Sequence, residues 1–128
     1  MKEQKNEFRT FTPDENRLKK IIKEKDMEEL NSYAEELGNG MKEGLSTSQI
    51  RSILDAIQRM KGFDKNKLQL LRPKLAYAAG RHGGRVKEFQ KIIEKAIQFV
   101  ENNEEFENFR NFVEAIVAYH KFYGGKEN

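Results

Sequence analysis

At 128 residues the chain has the size of one domain, with 37% hydrophobic and 35% charged residues and enough aromatics, nine Phe and four Tyr, to exclude a disordered chain. The absence of Cys excludes disulfide scaffolds and thiolate metal sites; with no apolar run near the ~18 residues of a membrane span and no signal-peptide pattern in MKEQKNEFRT, the sequence predicts a soluble, cytoplasmic protein. The formal net charge is only +3, but it is spread very unevenly.

No stretch sustains an alternation of apolar and polar residues, and the apolar spacing is helical throughout. Residues 1–11, polar apart from Phe8 and Phe11, read as a flexible arm before a single helical domain at 12–125, with 126–128 as a tail. Thr12 as N-cap, Pro13 at the first helical position and Glu15 at the third predict a helix start, with Leu18, Ile21 and Ile22 on its apolar side. Asp26 is expected to cap a second helix carrying Met27, Leu30, Tyr33, Ala34 and Leu37, which falters at Gly38-Asn39-Gly40. Ser46 and Gln49 make a capping box for a third helix with Ile50, Ile53, Leu54, Ile57 and Met60 on one face, ended by Gly62. Asp64 caps a fourth, with Leu68, Leu71, Leu75 and Ala78 inward. That period survives across Pro73, so a kink is expected there rather than a new helix. The helix ends at Gly80 or at Gly83-Gly84. A fifth helix from about Arg85 uses Phe89, Ile92, Ile93, Ala96, Ile97 and Val100, and a last one runs from about Glu104 to Gly124-Gly125. The fold class is all-α, a compact bundle of about five to six helices.

Residues 59–91 hold ten Lys or Arg against two acids, Asp64 and Glu88; residues 1–58 hold 10 basic and 12 acidic side chains, and residues 92–128 hold 4 and 7. A block of +8 attracts a polyanion, because each phosphate neutralised by Lys or Arg releases condensed counterions. On a continuous fourth helix Lys67, Leu70, Lys74, Tyr77 and Arg81 form one stripe, in which the cations follow a phosphate backbone and Tyr77 offers a stacking plane for a base. The other reading puts Leu70 and Tyr77 in the core with the lysines fringing it. On the third helix Arg51, Asp55 and Arg59 share the polar side, either as an ion-pair ladder or as a ligand surface. The turn Gly80-Arg81-His82-Gly83-Gly84-Arg85 adds Arg85, but it lacks the closing Gly-Lys-Ser/Thr of nucleotide-hydrolysing loops and follows no strand.

With no Cys nucleophile and no paired His at helical spacing, His82 and His120 give no basis for an enzyme, a metal site or a cofactor. The last helix has two apolar stripes. Phe106, Phe109, Val113, Ile116, Val117 and His120 suit the core, whereas Phe112, Ala115, Tyr119 and Phe122 are expected to leave Phe112, Tyr119 and Phe122 as an oligomer interface.

Three segments, STSQIRSILDAIQRMKG from Ser46 to Gly62, LRPKLAYAAGRHGG from Leu71 to Gly84, and FRNFVEAIVAYHKFYGG from Phe109 to Gly125, closely resemble the small subunit of type III-A CRISPR effector complexes, the Csm small-subunit family. PKLAYAAGR and EAIVAYHK are the specific strings, the resemblance covers roughly residues 45–125, and the first 30 or so residues match poorly. It implies a helical protein without catalytic activity that stacks in several copies along the guide–target RNA duplex and touches mainly the target-strand backbone. The partners it implies are guide and target RNA, the other subunits of the ribonucleoprotein and further copies of itself, as dimer or filament. The residues matching basic family positions are Arg51 in SQIR, Lys74 in RPKLAY and Arg81 in AAGR; Arg59, Lys61 and Lys67 lie near such positions. Rival readings are a stand-alone helical protein that binds single-stranded nucleic acid, and a helical protein–protein adaptor whose basic block meets an acidic partner.

Overall fold

A computed structural model describes residues 9–127, which form seven helical segments and, among the described residues, no strand. They are α1 (Glu15–Ile22), α2 (Met27–Gly40), α3 (Thr47–Gln58), α4 (Lys65–Gln69), α5 (Leu71–His82), α6 (Gly84–Phe99) and α7 (Asn103–Phe122). The long α7 is the axis of the bundle and packs against α1, α2, α3 and α6; α5 leans on α6 and α3 at the edge. Phe106, Phe109, Phe112, Val113 and Ile116 of α7 are fully buried and form the centre of the core. The one buried amide on this axis, Asn108, donates from Nδ2 to the carbonyl of Ile22 at 2.9 Å, which satisfies an orphan acceptor at the end of α1.

The starts of α2, α3 and α4 follow the predicted caps. Asp26, Ser46 and Asp64 accept from the amides of Glu29, Gln49 and Lys67, and Gln49 returns the bond to the Ser46 amide at 2.8 Å. At α1 the cap is Asp14 rather than Thr12, because Asp14 Oδ1 reaches the Arg17 amide while its own N–H donates to Tyr33 Oη at 3.2 Å. The second helix does not falter at Gly38 but runs through Gly40. A Cβ on Gly38 would stand 2.6 Å from the backbone nitrogen of His120, so the glycine permits a close crossing of α2 and α7. Phe11, expected in the flexible arm, is in the core with its ring against Gly40 and the guanidinium of Arg9 4.6 Å above it. Phe8 lies outside the described residues.

The break expected at Pro73 sits three residues earlier. The helix ends at Gln69, turns through Leu70, whose amide is shared between the carbonyls of Asn66 and Lys67, and restarts at Leu71. Pro73 then occupies the first turn of α5, where a missing N–H leaves no intrahelical bond unmade and the ring meets no preceding helical carbonyl. One more expectation fails here. Phe112 is fully buried and stacks on Tyr33 with ring centroids 5.5 Å apart, because α2 covers that side of α7. Tyr119 is half-buried against the same core. Only Phe122 of the predicted interface triad reaches the surface, at 75% exposure.

Candidate nucleic-acid interface

The start of α3 and the middle of α5 face each other across an open groove of about 860 Å³. The α5 wall carries Pro73, Lys74, Tyr77, Ala78, Arg81 and His82; the α3 wall carries Ser46, Ser48, Gln49, Ser52 and Ile53. Leu71, Leu75 and Ala79 are the buried side of α5, which forces residues 74, 77 and 81 outward at helical spacing. Tyr77 is 70% exposed, so the alternative in which it belongs to the core does not hold, and a ring face is open. Leu70, 63% exposed, is outside the core as well.

The charge around this groove is uncompensated. Among the described residues Lys74 and Arg81 make no ion pair, and neither do Arg51, Arg59, Lys61 and Lys67. Two other cations of the basic block are paired, Arg72 with Glu94 at 3.4 Å and Arg85 with Glu88 at 2.7 Å. Arg85 also donates to the carbonyl of Arg9 and lies 5.4 Å from the centroid of Phe11. It therefore holds the N-terminal segment on the bundle and stands apart from the groove. The proposed stripe is divided in the same way. Lys74, Tyr77 and Arg81 come together, whereas the break at Leu70 puts Lys67 on another segment, and Lys67, Arg51, Arg59 and Lys61 are exposed without lining the groove.

The α3 wall is held from behind by a buried histidine. His120 Nε2 contacts the Leu45 carbonyl, which can only accept, so Nε2 carries the proton and Nδ1 is left to accept from Thr47 Oγ1 at 3.4 Å. Burial pushes the His120 imidazole down from its ordinary range, against the raising effect of the Leu45 carbonyl, and the ring is neutral. The chain after α7 folds back over the same place, and the carbonyls of Lys126 and Glu127 accept from the amides of Thr47 and Ser48 at 2.6 and 3.1 Å. These bonds fix the helix entry that presents Ser46, Ser48 and Gln49 to the groove. Charge counting could not find this polar wall. Its trace in the sequence is the hydroxyl run Ser46-Thr47-Ser48, which coincides with the capping signal of α3. Among the described residues no cluster of three or more His, Asp or Glu is placed to hold a metal ion, and no helix is long and apolar enough to cross a membrane.

Residues 24–126 match the protein family described as Csm2 Type III-A. A curated protein of Streptococcus thermophilus, named CRISPR system Cms protein Csm2, is 36% identical over 96 residues, covering 65% of this chain and 76% of that protein. No solved structure matches significantly. The family match takes in both walls of the groove and the histidine behind it, leaving residues 1–23, which include α1, and residues 127–128 outside. With so much of the chain matched, the protein belongs to the Csm2 family of type III-A CRISPR systems.

Proposed function

We propose that this chain is a non-catalytic, RNA-binding structural subunit of a type III-A CRISPR ribonucleoprotein in the cytoplasm, with the α3–α5 groove resting on the backbone of the target strand. The observation that carries the reading is the convergence of Lys74, Tyr77 and Arg81, exposed and without acidic partners, on one groove. Two cations and an aromatic face supply phosphate neutralisation and base stacking, which together bind single strands with little regard to sequence. Family membership supports assembly with the other subunits and with guide RNA. Phe122, exposed at the end of α7, is the side chain through which copies would associate.

The test is fluorescence anisotropy of the full chain with single-stranded RNA over a range of salt. Contact with three or four phosphates, two through Lys74 and Arg81 and the rest through exposed cations beside the groove such as Arg51, predicts a slope of log K against log salt near −2 to −3, at about −0.7 per contact. Lys74→Ala and Arg81→Ala should each remove about 0.7 from the magnitude of that slope. An affinity indifferent to salt, or confined to one sequence, rules the proposal out.

A further inference from the structure

Two groups on the α3 wall are fixed in complementary hydrogen-bonding roles. Gln49 Oε1 accepts from the Ser46 amide at 2.8 Å, so the side-chain amide is oriented and its NH2 group is left as a donor with no acceptor among the described residues. One turn further, Ser52 Oγ donates its single hydrogen to the Gln49 carbonyl at 3.2 Å, so what it offers to the groove is lone pairs. Residues three apart are neighbours on a helix surface, and both side chains line the groove. The result is a donor beside an acceptor, each held in its role by a bond on its other side.

A ribose 2′-hydroxyl donates and accepts at once; a deoxyribose does neither at that position. The opposite wall holds Lys74 and Arg81 for a phosphate and Tyr77 for a base. We propose that the groove is a ribonucleotide-selective subsite, in which Gln49 Nε2 donates to, and Ser52 Oγ accepts from, the 2′-hydroxyl of one nucleotide. This rests on the RNA-binding reading above and adds a discrimination that phosphate contacts alone cannot supply.

The groove is open to water, which re-solvates Gln49 and Ser52 when the hydroxyl is missing. The preference is therefore that of one or two net hydrogen bonds, about three- to tenfold in Kd, far short of the rejection achieved by a sealed site. The experiment compares oligouridine, oligodeoxyuridine and 2′-O-methyl oligouridine of equal length on the full chain, at fixed salt. These share base and phosphates and differ only at the 2′ position. The wild type should bind oligouridine about three- to tenfold more tightly than the other two. Ser52→Ala, an exposed helix position where Ala costs nothing, should raise the Kd for oligouridine alone and close most of the gap. Gln49→Glu keeps the oxygen that accepts from Ser46 and deletes the NH2 donor, so it should narrow the ratio between oligouridine and oligodeoxyuridine although its charge weakens both. Equal binding of all three strands with an intact salt slope overturns the subsite and leaves the RNA-binding reading standing. A preference that persists in both variants overturns the assignment to Gln49 and Ser52. Absence of salt-dependent binding to any strand overturns the RNA-binding reading and the subsite with it.

Discussion

The chain sets a tyrosine among basic side chains in two regions, at Tyr33 and at Tyr77, and obtains opposite results. In the corner between α1 and α2, Arg17 lies 4.3 Å above the ring of Tyr33 and is bonded to Glu29, to Glu36 at 2.6 Å and to Ser32 at 3.3 Å. Burial alone would raise the Glu36 carboxyl, but bonds from Arg17 and Arg9 outweigh it and hold the group below its ordinary range. Tyr33 is buried, and the corner is closed. On α5, Tyr77 stands among Lys74 and Arg81 with no carboxylate beside it, and both the ring and the charges face water. What decides between the two outcomes is the supply of acids on the neighbouring elements, which is rich around α2, reaches α5 only at Arg72 through Glu94, and leaves the face of Lys74 and Arg81 without an ion pair among the described residues. Net charge thus misstates what a protein offers a polyanion, since only cations without internal partners are available to it.

The sharpest way to break this contrast is to remove each tyrosine. Tyr33→Ala takes a ring out of the core, where it stacks on Phe112 and accepts from the Asp14 amide, and should cost about 3–5 kcal/mol of stability in a denaturant titration. Tyr77→Ala should leave the denaturant midpoint unchanged while weakening RNA binding by about 1–3 kcal/mol, the worth of one stacked base. Equal stability losses would mean that Tyr77 is a packing residue after all.

The arginines come next. Arg17→Ala leaves Glu29 and Glu36 with part of their surface buried and a cation gone, and should destabilise by about 2 kcal/mol with the salt slope of RNA binding unchanged. Arg81→Ala should do the reverse, shifting stability within about ±0.5 kcal/mol and reducing the slope.

Acid separates the two regions by pH. For His120 the folded-state pKa is lowered from 6.5, so its contribution is complete above about pH 6.5 and declines as pH falls from there toward the folded value. For Glu36 the folded pKa is lowered from 4.5, so its contribution is present above about pH 4.5 and is lost only in more acid solution. Melting temperature against pH should therefore fall in two stages, the α3 wall weakening first. His120→Gln should abolish the first stage and leave the second. A single decline below pH 4.5 in the wild type would contradict the buried neutral imidazole.

The sequence carried the helical class, three of the caps and the shared face of Lys74, Tyr77 and Arg81 to the degree that each is written in local spacing. Capping boxes are read over four residues, and Lys74, Tyr77 and Arg81 lie on one helix, so both signals are complete within the segment that uses them. Pro73 misled because the Leu68–Leu71–Leu75 period continues across a break at Leu70, whose amide stays bonded to the carbonyls of Asn66 and Lys67. Phe112 misled for a different reason. A helix with two apolar stripes says that both are covered, and whether by α2 or by another chain depends on a crossing permitted by a glycine far away in sequence, Gly38. The Gln49–Ser52 pair left no trace in charge or hydropathy, since its meaning depends on which hydrogen each group has already given away.

The smallest expected effect on stability belongs to Phe122, which repeats on one helix the contrast of the two tyrosines. Phe112 and Phe122 sit on α7 ten residues apart, yet the first is sealed under α2 while the second is exposed and meets Tyr123 edge to face at a centroid distance of 4.9 Å. Ordered water around an exposed ring is unfavourable by about 1.5–3 kcal/mol relative to a buried one, and a second copy of the chain can recover that energy. Light scattering at several concentrations should show reversible self-association of the wild type that Phe122→Glu abolishes. Because the ring has no role in the monomer core, the melting temperature of the variant should stay within what ±0.5 kcal/mol allows. A wild type that remains monomeric at every concentration removes Phe122 from the proposed interface. If Phe122→Glu unfolds the protein, the end of α7 is better packed than its 75% exposure implies, and the boundary between closed and open aromatics lies beyond residue 122.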